Sequence, residues 1–363
     1  MSRVRVKSYA LPRIIRRRSG IERESQPGTV LVAYSAVNGM PHGEARDIET
    51  DLETIDTAKS LAKNLREVGY NADTYVVYGM HDIDLLAEEF DVDDLLVFNL
   101  CEHLNGVAMD DHLIATRMDR LGIQYTGASP ATLHAALNKS RTKRILERHS
   151  IPTAPHNLFD HDKQRNSVPL PAIVKPVAED ASLGITRDSV VFNNKRLREQ
   201  VQYVLDVYRQ PAIVEEFITG REFNVGVWGN GHTHVLPIAE LNYDQWTDPY
   251  QRFLHYDAKW NPDCKEYQTM PVIVPAPVDQ PVANRIRNVA YRAYHAMGCR
   301  DYARVDMRLR DGVPYVLEVN PNPCLASDAG FANAAHEAGY NHPAMTKQIA
   351  DWAWWRRGKH AGG

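Results

Sequence analysis

The sequence predicts a mixed α/β and α+β chain: a parallel α/β domain first, then a small α+β layer, then a mainly β region closed by helices. Three observations predict it. Near-continuous apolar strands alternate with amphipathic helices over the first third. Between residues 139 and 222 short strands and helices are too densely interleaved for a large sheet. From Gly220 onward the pattern is mainly β.

In chain order, the stretch before residue 28 is basic: Arg3, Arg5, Lys7, Arg13, Arg16, Arg17, Arg18 and Arg23 oppose only Glu22 and Glu24. It has no apolar core, so it reads as a loosely ordered extension (1–27) rather than a secretory signal. VLVAYSAV, from Thr29, is a buried strand, and a loop rich in Asn, Gly, Pro and His follows. Ile48 to Val68 is helical, with Leu52, Ile55, Ala58, Leu61, Ala62 and Leu65 on one stripe and Gly69 as its stop. ADTYVVY and DLLVFNL are strands around a helix from Ile83 to Phe90. His112 to Leu121 is helical, and GIQYTGAS leads out of a domain spanning 28–138.

The second unit, 139–222, opens on a helix from Ser140 to His149. PAIVKP is a strand ending at Lys175, EDASLGI a small-residue loop, and DSVVF a strand. The helix from Leu197 to Tyr208 precedes PAIVEEFI. In the third unit, 223–357, two β stretches lead to a polar, aromatic-rich connection, YDQWTDPYQRFLHYDAKWNPDC, which lacks periodicity and invites a functional reading. Val282 to Met297 is helical, as are Asp328 to Ala338 and Pro343 to Trp355.

Composition narrows the classes of function. The chain has 363 residues, 44% of them apolar, and a formal net charge of −4, which argues for real cores and against general nucleic-acid or membrane binding. No apolar run approaches a membrane span. Cys101, Cys264, Cys299 and Cys324 form no CxxC pair, which argues against a zinc ribbon or a disulfide framework and fits a reducing, cytoplasmic setting.

The chemistry concentrates between Ala303 and Ser327. Two strands flank Asp311-Gly312, and alternation puts Arg304, Asp306 and Arg308 on one side. A loop of Asp311 to Val313 sets Asp306 opposite Glu318 and Arg304 opposite Asn320, with Leu317 and Val319 facing away. Such oxygen ligands suit Mg²⁺ carrying a phosphate. Taken alone they fit an exposed hairpin with paired surface charges equally well. Lys175, at a strand end beside the Ala181 to Gly184 loop, can reach a phosphate or simply lie on the surface. Glu215, Glu216, Phe217 and Ile218 can hold an adenine and Glu222 a ribose, or form an ordinary edge strand.

The order of these features changes the reading. AALNKSRTK, PAIVKPVAEDASLGI, AIVEEFITGREFNV, FLHYDAKW, ARVDMRL and VLEVNPNP occur in one chain, over residues 130–330. The sequence resembles the ATP-grasp superfamily, in its D-alanine–D-alanine ligase-like branch. The resemblance implies an ATP-grasp fold preceded by a Rossmann-like parallel α/β domain. It also implies an Mg²⁺-dependent ligase that activates a carboxylate as an acyl phosphate and couples it to an amine, with two Mg²⁺ ions (or Mn²⁺) and a homodimer. Lys139 and Lys175 would contact ATP phosphates, and Ser182 and Gly184 would sit in the phosphate loop. Glu215, Glu216, Phe217 and Ile218 would hold adenine and Glu222 the ribose, with Phe253 packing near the nucleotide. Lys259 would reach the γ-phosphate, Arg304 would stabilise the transferring group, and Asp306, Glu318 and Asn320 would bind the metal.

Departures from the family pattern lie at the substrate end. An EREVSL-like motif is absent, and NGMPHGEARDIETDL stands there. Ala181 and Trp260 stand where the family has a Ser and a Tyr supporting that motif's Glu, and NPC, with Cys324, replaces SPG. These departures predict a substrate other than two D-alanines. Glu44, Asp47, Glu49, Glu102 and His103 are candidates for a different acceptor site. Trp246, Tyr250, Trp260 and Tyr243 suggest a larger or more apolar substrate, or a lid from Leu241 to Cys264 packed on itself. The alternatives are a cell-wall D-alanine ligase, a kinase or acyl-phosphate synthase on the same scaffold, and a nucleotide-binding module without turnover. Cys324 is read as a small apolar filler or a thiol nucleophile.

Overall fold

The computed structural model describes residues 28–36, 49–261 and 263–360. The basic extension, Glu44 and Asp47 lie outside the described residues, as does the side chain of Glu49.

The first sheet is parallel, in the order β2-β1-β3-β4. It is built from β1 (Thr29–Ser35), α1 (Glu49–Glu67), β2 (Ala72–Val77), α2 (Met80–Glu89), β3 (Leu95–Asn99), α3 (Asp111–Leu121) and β4 (Gln124–Tyr125). Leu95 to Asn99 are buried throughout, as a parallel strand covered on both faces requires. GIQYTGAS does more than lead out: Gln124 and Tyr125 pair with Leu96 and Val97 as a fourth strand.

Two helices join the units, α4 (Pro130–Leu137) and α5 (Lys139–Arg148). The expectation missed α4, though its start is written in Ser129, whose Oγ accepts from Thr132 N–H, and in Pro130 at the first helical position. Asn138 caps α5 by accepting from Arg141 N–H at 2.9 Å, so Lys139 already lies in the first turn.

The central sheet is antiparallel, in the order β5-β8-β6-β7, with β5 (His156–Phe159), β6 (Ala172–Pro176), β7 (Val190–Val191) and β8 (Ala212–Glu216). The helix α6 (Asn194–Val207) covers it through Leu197, Val201 and Val204. The third sheet runs β12-β11-β9-β13-β14, with β10 on β9. Its strands are β9 (Arg221–Gly229), β10 (His234–Val235), β11 (Ala239–Leu241), β12 (Val272–Ile273), β13 (Asp301–Arg310) and β14 (Val313–Asn320). Between β11 and β12 the aromatic-rich connection contains two short helices, α7 (Tyr256–Trp260) and α8 (Lys265–Thr269). Helix α9 (Gln280–Ala296) packs on this sheet through Ile286, Ala290 and Ala293, and α10 (Gly330–Glu337) and α11 (His342–His360) end the chain. Among the described residues no helix is long and apolar enough to cross a membrane.

The hairpin corrects one step of the sequence reading. Arg304 does face Asn320, and Asp306 faces Glu318, but the turn is only Asp311-Gly312, with both residues at positive φ (51° and 74°). The register then shifts between Asp306 and Met307, leaving Leu317 as the extra residue of a bulge. That bulge restores the pairing a longer loop was expected to supply. It also brings Leu317 into the cleft lining, while Val319 stays in the core beneath α9.

Candidate active site

A cleft of about 300 Å³ lies where the three sheets approach one another. Lys139, Lys175, Ser182, Glu215, Glu216, Phe217, Ile218, Glu222, Phe253, Lys259, Arg304, Asp306, Glu318 and Asn320 all line it. Gly184 does not. Its φ is +73°, and an added Cβ would lie 2.5 Å from Pro176 Cγ, so it lets the 181–185 loop pack down on the end of β6.

At one end, buried Glu215 places Oε2 3.2 Å from both Lys143 Nζ and Lys175 Nζ. Burial pushes this carboxyl up, but the two ammonium groups outweigh burial and hold it below its ordinary value. Lys143, which the sequence reading gave no role, is fully buried and also donates to Thr153 Oγ1 at 3.0 Å. Its signal was its place one turn after Lys139 on the same helix. Glu216 pairs with Arg310 at 2.6 Å. Glu222 accepts from Arg308 Nη2 and Nε (2.7 and 2.9 Å) and from Tyr243 O–H at 3.3 Å. Arg308 also donates to the Ile218 carbonyl at 2.9 Å and lies over the Phe217 ring, which meets Phe253 edge to face. A strand end carrying apolar rings, carboxylates and backbone groups can hold a flat base and its sugar.

In the middle, Lys139 Nζ donates to the Glu179 carbonyl. The 181–185 loop carries positive φ at Ala181 and Ser182 (54° and 64°), an uncommon backbone for residues with a Cβ. The connection between β11 and β12 is bonded to this loop. Trp260 Nε1 donates to the Ala181 carbonyl at 2.9 Å, Tyr256 N–H to Ile185 O at 2.9 Å, and Ser182 Oγ to Leu254 O at 3.1 Å. Tyr243 and Trp246 pack on each other, and Tyr250 packs on Phe192 and Phe217. Tyr243, Trp246, Tyr250 and Trp260 do not line the cleft.

At the hairpin, Asp306 accepts from Arg304 Nε and Nη2, each at 2.7 Å, from Asn224 at 2.7 Å and from Asn320 at 3.0 Å. The Asn320 amide also donates to Glu318 Oε1 at 3.1 Å. Burial pushes Asp306 up despite Arg304, with Glu318 adding to the rise. Burial raises Glu318 too, but Lys139 and Arg304 overcome it and hold that carboxyl down. Two adjacent buried carboxylates repel one another, and a bound divalent cation relieves that repulsion. Turning the Asn320 amide end for end presents its oxygen to the same point. The donor set is all oxygen and fits a hard cation such as Mg²⁺.

Beyond the hairpin the cleft is acidic. The low-dielectric walls push Glu102 up to about 7, with Lys259 opposing and Asp180 assisting, although Glu102 is open to the cleft's water. Burial, then Asp180, push Asp111 up to about 8, and its Oδ1 is buried without a hydrogen-bond partner. Burial also raises the Cys324 thiol to about 12, with Glu53 adding to the rise, and Cys324 Sγ donates to Glu53 Oε1 at 3.6 Å. A thiol held protonated in this way is a poor nucleophile, which favours the filler reading. Asn224, Asp180 and Asp111 gave no usable signal in sequence, because only the folded sheet brings them beside Asp306 and Glu102.

The cleft therefore gathers Lys139, Lys175, Lys259 and Arg304 around a space closed by paired carboxylates. The family described as D-ala D-ala ligase C-terminus matches residues 141–351. An uncharacterized protein, y4sG, of Sinorhizobium fredii is 31% identical over 302 residues, covering 81% of this chain and 86% of the relative. A D-alanine–D-alanine ligase of Carboxydothermus hydrogenoformans is 30% identical over 258 residues, covering 68% and 78%. The crystal structure of D-alanine–D-alanine ligase from Bacillus anthracis complexed with ATP superposes with a TM-score of 0.71 at 21% identity, covering 92% of this chain and 99% of that one. The chain thus belongs to the ATP-grasp family of D-alanine–D-alanine ligase-like enzymes, ATP-dependent ligases that form C–N bonds.

Proposed function

We propose that this enzyme joins a carboxylate to an amine through an acyl phosphate, on an amino acid or small peptide-like substrate other than two D-alanines. One observation carries the reading. The lysines, the arginine and the carboxylates assigned to phosphoryl transfer line one cleft, while at the substrate end Trp260 bonds to the Ala181 carbonyl (2.9 Å) where a Tyr and a Ser would support a zwitterion-binding Glu.

Amide formation from a carboxylate is uphill in water, so the carboxylate is first activated. Its oxygen attacks the γ-phosphorus of ATP, ADP leaves, the amine attacks the acyl carbon, and phosphate departs. Lys139 and Lys175 hold the phosphate chain, and Lys259 and Arg304 meet the charge that develops on the transferring group. Asp306, Glu318 and Asn320 would hold Mg²⁺, as two ions, which when bound would supply further charge neutralisation. Glu215, Glu216, Phe217 and Ile218 receive the adenine, with Phe253 against it and Glu222 on the ribose. Ser182 and Gly184 shape the phosphate loop, and the lid over it keeps water from the acyl phosphate.

The test is a phosphate-release screen of amino acids and small peptides with ATP and Mg²⁺, followed by mass measurement of the product. Turnover with an acid–amine pair other than D-alanine, and silence with D-alanine alone, is the expected result. The relatives named D-alanine–D-alanine ligase favour a second reading, in which D-alanine alone releases phosphate and yields the dipeptide; that outcome overturns the first. ADP release without any amine would instead indicate a kinase or acyl-phosphate synthase.

A further inference from the structure

The lid carries a second cluster of metal-ligating groups, and none of its members lines the cleft. His255 caps α7, Cys264 caps α8, and Glu266 lies in the first turn of α8. One ligand atom from each lies within 4.8 Å of the other two; His255 and Glu266 are buried and Cys264 is half-buried. The Cys264 thiol donates to Glu266 Oε2 at 2.9 Å. Glu266 Oε1 accepts from Arg187, which follows the phosphate loop. His255 Nδ1 accepts only a long bond, 3.3 Å, from Ala258 N–H.

A thiol, an imidazole and a carboxylate converging in a buried site are the donors of a borderline-soft transition metal. The all-oxygen set at Asp306, Glu318 and Asn320 suits a different, harder ion. We propose that His255, Cys264 and Glu266 bind a Zn²⁺-class ion that braces the lid. On binding, the Cys264 sulfur gives its proton to solvent, and the thiolate and Glu266 carboxylate balance the dication. One imidazole nitrogen of His255 supplies a lone pair. Ligation through either nitrogen gives up the Ala258 cap, because a neutral imidazole has a single ring lone pair. Arg187 holds the Glu266 carboxylate from outside, as partners of metal ligands commonly do. Three protein ligands leave a fourth position for water. The ion would join the starts of α7 and α8 and so fix the helix that carries Lys259 and Trp260. This site stands independently of which substrate the cleft accepts.

The test uses the full chain, stripped with a chelator and kept in millimolar Mg²⁺ so that hard-cation sites are filled. Co²⁺, the probe, is expected to give a near-ultraviolet thiolate charge-transfer band and a tetrahedral visible band, both displaced by Zn²⁺. Cys264→Ser and His255→Ala should lose the thiolate band, while Cys324→Ser keeps it. No such band in the unaltered chain, a band that survives Cys264→Ser, or one lost with Cys324→Ser overturns the proposal. If the variants do not fold, Tm of the unaltered chain decides: a rise with Zn²⁺ supports the site, and a Tm that Zn²⁺ fails to raise overturns it.

Discussion

Glu215 sits between Lys143 and Lys175, and its buried carboxylate has stakes on both sides. Burying a charge is tolerated only when partners compensate it, so removing one partner exposes the cost. Lys143→Met should destabilise the fold by on the order of 3 kcal/mol, read from urea unfolding. It should also weaken ATP binding, because Glu215 lines the cleft where the proposed reading seats the adenine. Unchanged unfolding would mean that Lys175 alone satisfies Glu215. Asp111 shows the opposite imbalance: burial and Asp180 push its carboxyl up to about 8. The sign follows from proton counting. From the ordinary carboxylate range up to about pH 8 the folded state holds a proton on Asp111 that the unfolded chain has already lost, so stability falls as pH rises through this window and levels off above it. Asp111→Asn should remove this component. The stability difference between the variant and the unaltered chain should therefore grow in the variant's favour over that window, as followed by urea midpoints. A pH-independent difference would count against a raised Asp111. Lys143 was legible in retrospect from its spacing to Lys139, whereas Asp111 was not, because nothing local ties it to the cleft.

Elements place these residues, and one connection matters more than its length suggests. Only Phe217 to Gly220 separates Glu216, the end of β8, from β9, the strand carrying Glu222. Gly220 adopts φ +127°, and a Cβ there would lie 2.1 Å from the Leu309 carbonyl oxygen on β13. Gly220→Ala should therefore push β13 away from the end of β8 and loosen the Arg308 bonds to Ile218 O and Glu222. A several-fold rise in KM for ATP together with a lowered Tm is the expected result; an unaltered KM would show that the two elements adjust without strain. The hairpin of β13 and β14 makes the same point about register. Alternation put Arg304, Asp306, Glu318 and Asn320 on one face correctly, but the bulge at Leu317 was invisible, because several combinations of turn and bulge give one pairing.

Across the whole molecule the first and third sheets share a core. Val30, Val32, Leu61 and Leu96 pack in one cluster with Trp228, Tyr302, Phe331 and Ile349. That packing sets Glu102, which follows β3, opposite the hairpin that carries Arg304. The connection between β11 and β12 is tied to this frame at the 181–185 loop, by the Trp260, Tyr256 and Ser182 bonds. A bound nucleotide should tighten those ties. ATP with Mg²⁺ is expected to slow limited proteolysis between residues 242 and 271 relative to the rest of the chain, measured by peptide mass mapping. Equal cleavage with and without nucleotide would count against a closing lid.

The roles given to Lys139, Lys175, Lys259 and Arg304 came from the family resemblance, but the shared face of Arg304, Asp306, Glu318 and Asn320 was legible before any fold was known, because strand alternation and turn chemistry are local and act through nearest neighbours along the chain. The parallel first sheet and the small second layer were legible for the same reason. The partners of those residues were not. Arg308 on Glu222, Lys143 on Glu215, Asn224 on Asp306 and Asp180 beside Glu102 are pairings of distant segments. Their energies come from burial and low dielectric, which exist only once three sheets have closed on one cleft. The connection between β11 and β12 shows the boundary clearly: read along the chain, its aromatic rings fitted a substrate or packing on one another equally well, and only tertiary packing set Tyr243 on Trp246 and Tyr250 on Phe192 and Phe217.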